Sequence, residues 1–303
     1  MKTFIFKILI FLAAHGVLFL SVEQLITYRL KNGYRATSQN DWHDLKNHNS
    51  EIVFIGASKI FFEVDPFAVT RKFGVKAEVI SQDGQTIDVL WYKFLQYVSV
   101  NTKPKEIYVL CDPFFVGMRQ DLFGFDSYRS YFFMDRFDVP YLKKKQGYES
   151  YYKYIPLLAV GKQSLRFIVN YQIANTYEKT RGYEPQDLTW IGDWKHPPQR
   201  FNFELNGINY IDSFSSYCRK NNIECYFIYL PESPPSYKVM SHYRAFYDSI
   251  ATRNINFRNY NDTALYNDST IFFNHMHLNR KGSEVFMNQL LNDTSVFREF
   301  RHR

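Results

Sequence analysis

Cysteine is scarce in this chain: three in 303 residues, at positions 111, 218 and 225. None sits in a C-x-x-C pair and the count is odd, which argues against a disulfide framework. Cys111 and Cys225 fall in apolar, strand-like runs and read as core residues, while a Cys218–Cys225 bridge stays open. Runs of like charge are also missing; the longest cluster is Lys143-Lys144-Lys145. The net charge of +7 therefore comes without a nucleic-acid recognition motif, and no nucleic-acid partner is expected. A mildly basic chain of this kind suits an anionic lipid surface or an acidic polymer. There is no internal repeat and no low-complexity tract. Metal-ligand spacing is limited to His275 and His277 beside Asn274, and H-x-H without further carboxylate or cysteine spacing is too little for a site, so no metal and no cofactor are expected.

Aromatics, by contrast, are plentiful: 24 Tyr and 29 Phe, much of them between Phe114 and Tyr183. They fill a core or line a surface that stacks on sugars, with the core the simpler reading. The amino terminus reads MKTFIFKILIFLAAHGVLFLSVEQL. Lys2 and Lys7 precede an apolar run from Ile8 to Val22 that spans a bilayer if Phe4–Phe6 join it and Lys7 snorkels. No A-x-A cleavage site follows, so an uncleaved anchor is preferred to a signal peptide. Either way the lysines stay cytoplasmic and the remainder is extracytoplasmic, periplasmic or at the cell surface. The expected organisation is a membrane segment over 1–26, a polar stalk over 27–50 and an α/β domain over 51–303, interrupted by a mostly helical, Tyr-rich insertion or cap over 114–205.

Strand and helix patterns alternate on both sides of that insertion. Strands are predicted at Ile52–Ile55, Ala77–Ile80, Glu106–Asp112, Glu224–Leu230 and Ile255–Phe257. Helical spacing marks Ile87, Leu90, Trp91, Phe94 and Val98, then Ile208, Ile211 and Cys218, then Tyr243–Thr252 and Arg280–Leu291. Asp65-Pro66 starts a further helix, with Asp as N-cap and Pro in the first turn. This alternation predicts a three-layer α/β fold, a parallel sheet flanked by helices. In such sheets ligands sit beyond the carboxyl ends of the strands, which here lead to Ser58, Gly84, Asp112 and the rigid loop Pro231–Tyr237.

Two short stretches carry chemistry. IVFIGASK ends a buried strand at a small serine, Ser58. FFNHMHLNRKG places His277 in a loop before the last helix, where Asn279 can cap and Gly282 permits close packing. A serine hydroxyl needs a base within reach, and histidine is the usual one. The arrangement resembles the SGNH (GDSL-like) hydrolases. Gly56–Lys59 is similar to the G-x-S block that opens that family's site, Asp83–Thr86 to its second block, and His277–Gly282 to its closing His-Leu-Asn-x-x-Gly block. The resemblance covers about Glu51–Asp112 and Asn206–Asp293 and omits the insertion. It implies a nucleophile at Ser58, a base at His277, and oxyanion donors at the backbone N–H groups of Ser58 and Gly84, with Gln85 on the substrate side.

This chain departs from the family pattern at two points. Asn274 stands three residues before the histidine, where the family usually has Asp; Asp268 and Asp112 are the acids that could take its place. CDPFF follows the third strand without the family's Asn, leaving Asp112 to bind a substrate hydroxyl, cap a helix or orient His277. Lys59 is expected to cap carbonyls or meet solvent, or else to bind an acidic substrate. His275 is expected to be structural or solvent-facing. The Pro231 loop ends a strand, or walls an acyl pocket.

The resembling variants are membrane-anchored bacterial envelope proteins. The resemblance implies an exported esterase or O-acyltransferase on acyl groups of envelope carbohydrate. Its partners would be an acylated polymer, the inner membrane through the N-terminal helix, and a membrane acyltransferase. The alternative is a degenerate binding or assembly protein on the same fold.

Overall fold

The computed structural model describes residues 2–31, 47–81, 83–117, 180–191, 205, 207–234 and 243–301. Most of the stalk and of the Tyr-rich stretch lies outside them. The chain divides into two compact units, Met1–Asp44 with Gln120–Asn175, and Leu45–Arg119 with Thr176–Arg303.

In the first unit the described element is α1 (Lys2–Lys31). Its stretch Lys2–Leu25 has a mean hydropathy of 2.3 and is long and apolar enough to cross a membrane, as an anchor or a signal sequence would be. At 1.5 Å per residue those 24 residues extend ~36 Å, against a hydrocarbon core of about 30 Å. The polar groups that interrupt the run bond within the helix. Ser21 Oγ donates to Val17 O at 2.8 Å, and His15 Nδ1 bonds Phe11 O at 2.8 Å.

The second unit is built on five parallel strands: β1 (Ile52–Gly56), β2 (Ala77–Ser81), β3 (Glu106–Leu110), β4 (Glu224–Tyr229) and β5 (Asn256–Asn259). Their order is β2-β1-β3-β4-β5. β1, β2 and β3 are buried along their whole length, as strands covered on both faces must be. β5, at the edge, is the most exposed. Phe54, Tyr108 and Tyr226 are register partners on three adjacent strands and stack at 4.8 and 5.1 Å between ring centroids. Phe297 from the carboxyl-terminal segment closes this ladder, 4.9 Å from Tyr108 and 4.8 Å from Phe73.

Helices flank the sheet: α2 (Ser58–Glu63), α3 (Pro66–Phe73), α4 (Ile87–Val100), α5 (Pro113–Val116), α6 (Ile208–Lys220), α7 (Tyr243–Ala251) and α8 (Arg280–Asn292). α4 and α6 meet through Trp91 and Phe214, 4.8 Å apart. The helix expected at Asp65-Pro66 starts there, with the Asp65 carboxylate accepting from Phe67 N–H at 2.8 Å. The third strand is shorter than expected, because Asp112 leaves it to cap α5.

Strand order reverses between β1 and β3, the switch point at whose carboxyl end ligands sit in open α/β sheets. Residues 180–191, within the stretch read as an insertion, run along this unit. Glu184 N–H donates to Phe61 O at 3.0 Å, Arg280 N–H to Gln186 O at 2.8 Å, and Trp190 N–H to Phe272 O at 2.8 Å.

Candidate active site

β1 ends at Gly56, and the chain turns at once into α2. A Cβ on Gly56 would lie 2.4 Å from Ile60 Cγ1 and 2.6 Å from Leu110 Cβ, so only glycine lets the turn fold back against β3. Ser58 is the first residue of α2, and it is 7% exposed.

The histidine arrives from the far end of the chain. Residues Phe272 and Leu278 pair as an antiparallel bridge and pinch the segment between them into a closed loop. Asn279 caps α8, accepting from Gly282 N–H at 3.2 Å, as expected. Gly282 packs so tightly that an added Cβ would lie 2.2 Å from Ile271 O. This anchored loop presents His277 to α2, and its Nε2 lies 2.7 Å from Ser58 Oγ.

Asn274 determines which ring nitrogen carries the proton. Its Oδ1 accepts from Met276 N–H at 2.9 Å and from His277 N–H at 3.0 Å, so that atom must be the oxygen. The same oxygen lies 2.9 Å from His277 Nδ1, which must therefore be the protonated nitrogen. Nε2 is left with its lone pair and accepts the Ser58 hydroxyl. The imidazole is held further by Phe273, stacked at 5.3 Å, and Phe62, edge-on at 5.5 Å. Burial, then the charge of Lys59, lower its pKa to about 3. The folded value is below the ordinary 6.5, so the stability linked to this group is complete above about pH 6.5 and is lost as pH falls towards 3.

Other residues fall differently from their sequence reading. Lys59 neither meets solvent nor caps carbonyls: it is 2% exposed, and its Nζ pairs with Glu232 Oε1 and lies 3.4 Å from Asp112 Oδ2. A cation in an apolar turn is stable only with counter-charges, and the strand ends supply them. Burial alone would pull Lys59 down; Glu232, then Asp112 and Glu63, outweigh it and leave its pKa raised. Asp112 also caps α5 through Phe115 N–H at 2.7 Å, so of the roles open to it the structure adopts the helix cap and adds an ion pair. Asp268 is occupied by Thr270, at 2.8 Å from both its N–H and its hydroxyl. Neither acid replaces Asn274.

Gly84, with φ of +67°, and the buried Gln85 occupy the loop after β2, beside the strand that leads to Ser58. His275 lies against Trp190, 4.0 Å between rings, and its carbonyl accepts from Ser233 Oγ at 2.8 Å, a structural role. Both ring nitrogens of His277 are hydrogen-bonded, Nδ1 to Asn274 and Nε2 to Ser58.

Two acids were not singled out in the sequence. Glu232, fully buried, pairs with Lys59 and accepts from Tyr243 OH, which in turn bonds Tyr229 OH. Glu63, fully buried, accepts from Leu278 N–H at 3.2 Å and so ties α2 to the histidine loop. Burial pushes its carboxyl well above the ordinary range, against Lys59, which favours the ionised form. The signal available for Glu232 was an acid at the end of an apolar strand opposite a lysine in an apolar turn.

No protein-family model and no curated protein matches the sequence. Among solved structures, one from Streptococcus pneumonia, provisionally named a platelet activating factor, aligns over 93% of this chain and 97% of its own, at 10% identity and a TM-score of 0.39. A likeness of that size carries no argument about chemistry, which rests on the geometry above.

The Asn274 geometry yields a first prediction. Asn274→Asp keeps the two backbone donors and gives Nδ1–H a charged acceptor. A charge-assisted bond supports imidazolium better, so serine reactivity towards a fluorophosphonate should rise by about ten- to a hundredfold. Labelling rates of the two proteins side by side check this, and an unchanged rate would show that the amide already suffices.

Proposed function

We propose that the protein is an exported, membrane-anchored serine esterase or O-acyltransferase of SGNH type, acting on acyl groups of cell-envelope carbohydrate. The observation that carries the reading is the bonded series Ser58 Oγ, His277 Nε2, His277 Nδ1, Asn274 Oδ1 above the switch point of a parallel sheet. Ser58 Oγ attacks the ester carbonyl while Nε2 takes its proton, forming a tetrahedral oxyanion. The proton then passes to the leaving alcohol as the C–O bond breaks, leaving an acyl-serine. Water or a second alcohol, deprotonated by Nε2, attacks that ester and returns Ser58. Backbone N–H groups of Ser58 and Gly84 are the oxyanion donors in this scheme, and one good donor is worth roughly 3 kcal/mol of barrier. The apolar helix α1 keeps the catalytic unit at the membrane, where a membrane acyltransferase could hand it acyl groups.

The binding-only reading requires no activated serine, whereas here the base stands 2.7 Å from the hydroxyl in the accepting tautomer. The test uses the full-length chain in detergent with p-nitrophenyl acetate and an O-acetylated oligosaccharide. Acetate release, or transfer to an added unacetylated oligosaccharide, is expected, and both should vanish in Ser58→Ala. Wild-type turnover equal to that of Ser58→Ala on both esters would leave a binding protein.

A further inference from the structure

The acyl-transfer steps do not use residues 180–191, yet this stretch crosses both elements that bring Ser58 and His277 together. It starts at the edge strand, where Arg181 O accepts from Val79 N–H of β2 at 3.0 Å. Glu184 N–H then donates to Phe61 O of α2, the helix that begins with Ser58, at 3.0 Å. Its remaining contacts surround His277. Tyr183 OH bonds Ser283 Oγ at 2.9 Å, and Gln186 O accepts from Arg280 N–H at 2.8 Å. The Asp187 carboxylate accepts twice from the Arg280 guanidinium, at 2.5 and 3.1 Å. Trp190 N–H donates to Phe272 O at 2.8 Å, and its ring stands edge-on to His275 at 4.0 Å. Asp187–Thr189 are exposed, so this part of the stretch buries little apolar area. What it supplies is directed bonds, and they land on α2 and on the two sides of the histidine loop.

We propose that residues 180–191 are a clasp that sets the Ser58–His277 geometry, with Trp190 as its positioning residue: the Trp190 backbone N–H holds Phe272 and its ring holds His275, so that the loop delivers His277 to Ser58. This rests on the acyl-transfer reading of Ser58. The pair is 219 residues apart in the chain, and its 2.7 Å contact depends on what fixes the loop. After His277 the loop is tied to α2 by Glu63, which accepts from Leu278 N–H at 3.2 Å and, through its carbonyl, from Ser283 Oγ at 2.9 Å. Before His277 the chain is irregular, and its backbone is held from outside. Ser233 Oγ bonds the His275 carbonyl on one side, and Trp190 bonds the Phe272 carbonyl and packs on the His275 ring. A loop held only at its far end can swing, and a displacement of about 1 Å at a reacting group can cost about a hundredfold in rate.

The experiment reads the imidazole nitrogens of His277 by NMR in the full-length chain in detergent, labelled with 15N-histidine and assigned with His277→Gln, together with the rate of fluorophosphonate capture. In Trp190→Ala, which removes the ring from His275, capture should slow by about tenfold. In Trp190→Pro, which also removes the N–H bonded to Phe272 O, it should slow by about a hundredfold. In both variants the Nε2 signal should move away from its wild-type, serine-bonded position. Trp190→Phe, which keeps an aromatic face and the backbone N–H, should restore the wild-type signal and a rate near wild type. The milder alanine variant carries the test if the proline variant fails to fold. A folded Trp190→Ala with wild-type imidazole signals, whatever its rate, would overturn the proposal and leave the acyl-transfer reading standing. If the signals move as described while Ser58 labels in no variant and not in the wild type, the positioning role stands and the acyl-transfer reading fails.

Discussion

Replacing His277 by alanine is expected to slow fluorophosphonate capture at Ser58 by about a thousandfold or more. A serine hydroxyl is a poor nucleophile unless its proton has somewhere to go as the bond forms. Here that destination is Nε2, 2.7 Å away, with its lone pair fixed by the Asn274 contact on the other side of the ring. Among the described residues around the turn nothing takes over. Lys59 is a cation committed to Glu232 and Asp112, and Glu63 is bonded to Leu278 N–H with its carboxyl pushed towards the neutral form. Ser58→Ala sets the baseline, and mass mapping of the adduct identifies the labelled residue. Should His277→Ala label at the wild-type rate, the Ser58–His277 bond is a packing contact.

Lys59→Met should cost about 3–5 kcal/mol of stability, because it strands Glu232 and Asp112 in the interior. Glu232 is fully buried and Asp112 is 1% exposed, so neither can turn to water for compensation. The partner substitution Glu232→Gln, made on top of Lys59→Met, should restore part of the loss by removing one stranded charge. Urea denaturation of the full-length chain in detergent, followed by tryptophan fluorescence, measures both. The coupling between the two changes isolates the pair from general damage to the core. A loss of under about 1 kcal/mol for Lys59→Met would mean the cluster relaxes or hydrates.

Much of the frame was legible because parallel strands buried on both faces are mostly apolar. IVFIG, EIYVL and ECYFIY announce themselves in that way, and Asp65-Pro66 announces a helix start. Boundaries shifted where a polar residue had a better use outside the strand, as Asp112 did in capping α5. Ser58, His277 and Asn274 were legible as candidates from local context: a serine after strand-Gly-Ala, and a histidine before a capped helix. A lysine in isolation belongs in water, and the counter-charges that let Lys59 be buried lie 53 and 173 residues further on. Glu232 follows an apolar strand, but its burial depends on a lysine 173 residues away, which only the fold brings to it.

The sequence by itself determined the element types, the apolar amino-terminal helix and the residue types able to activate a serine, because these follow from hydrophobic period, capping and side-chain chemistry over a few neighbours. Tertiary structure alone decided that Ser58 meets Nε2 rather than Nδ1, that an amide and not a distant acid orients the ring, and that Lys59 is a buried cation between two strand ends. Those outcomes depend on which loops the strand order brings to one end of the sheet, and on charges whose partners are close only after the chain has folded.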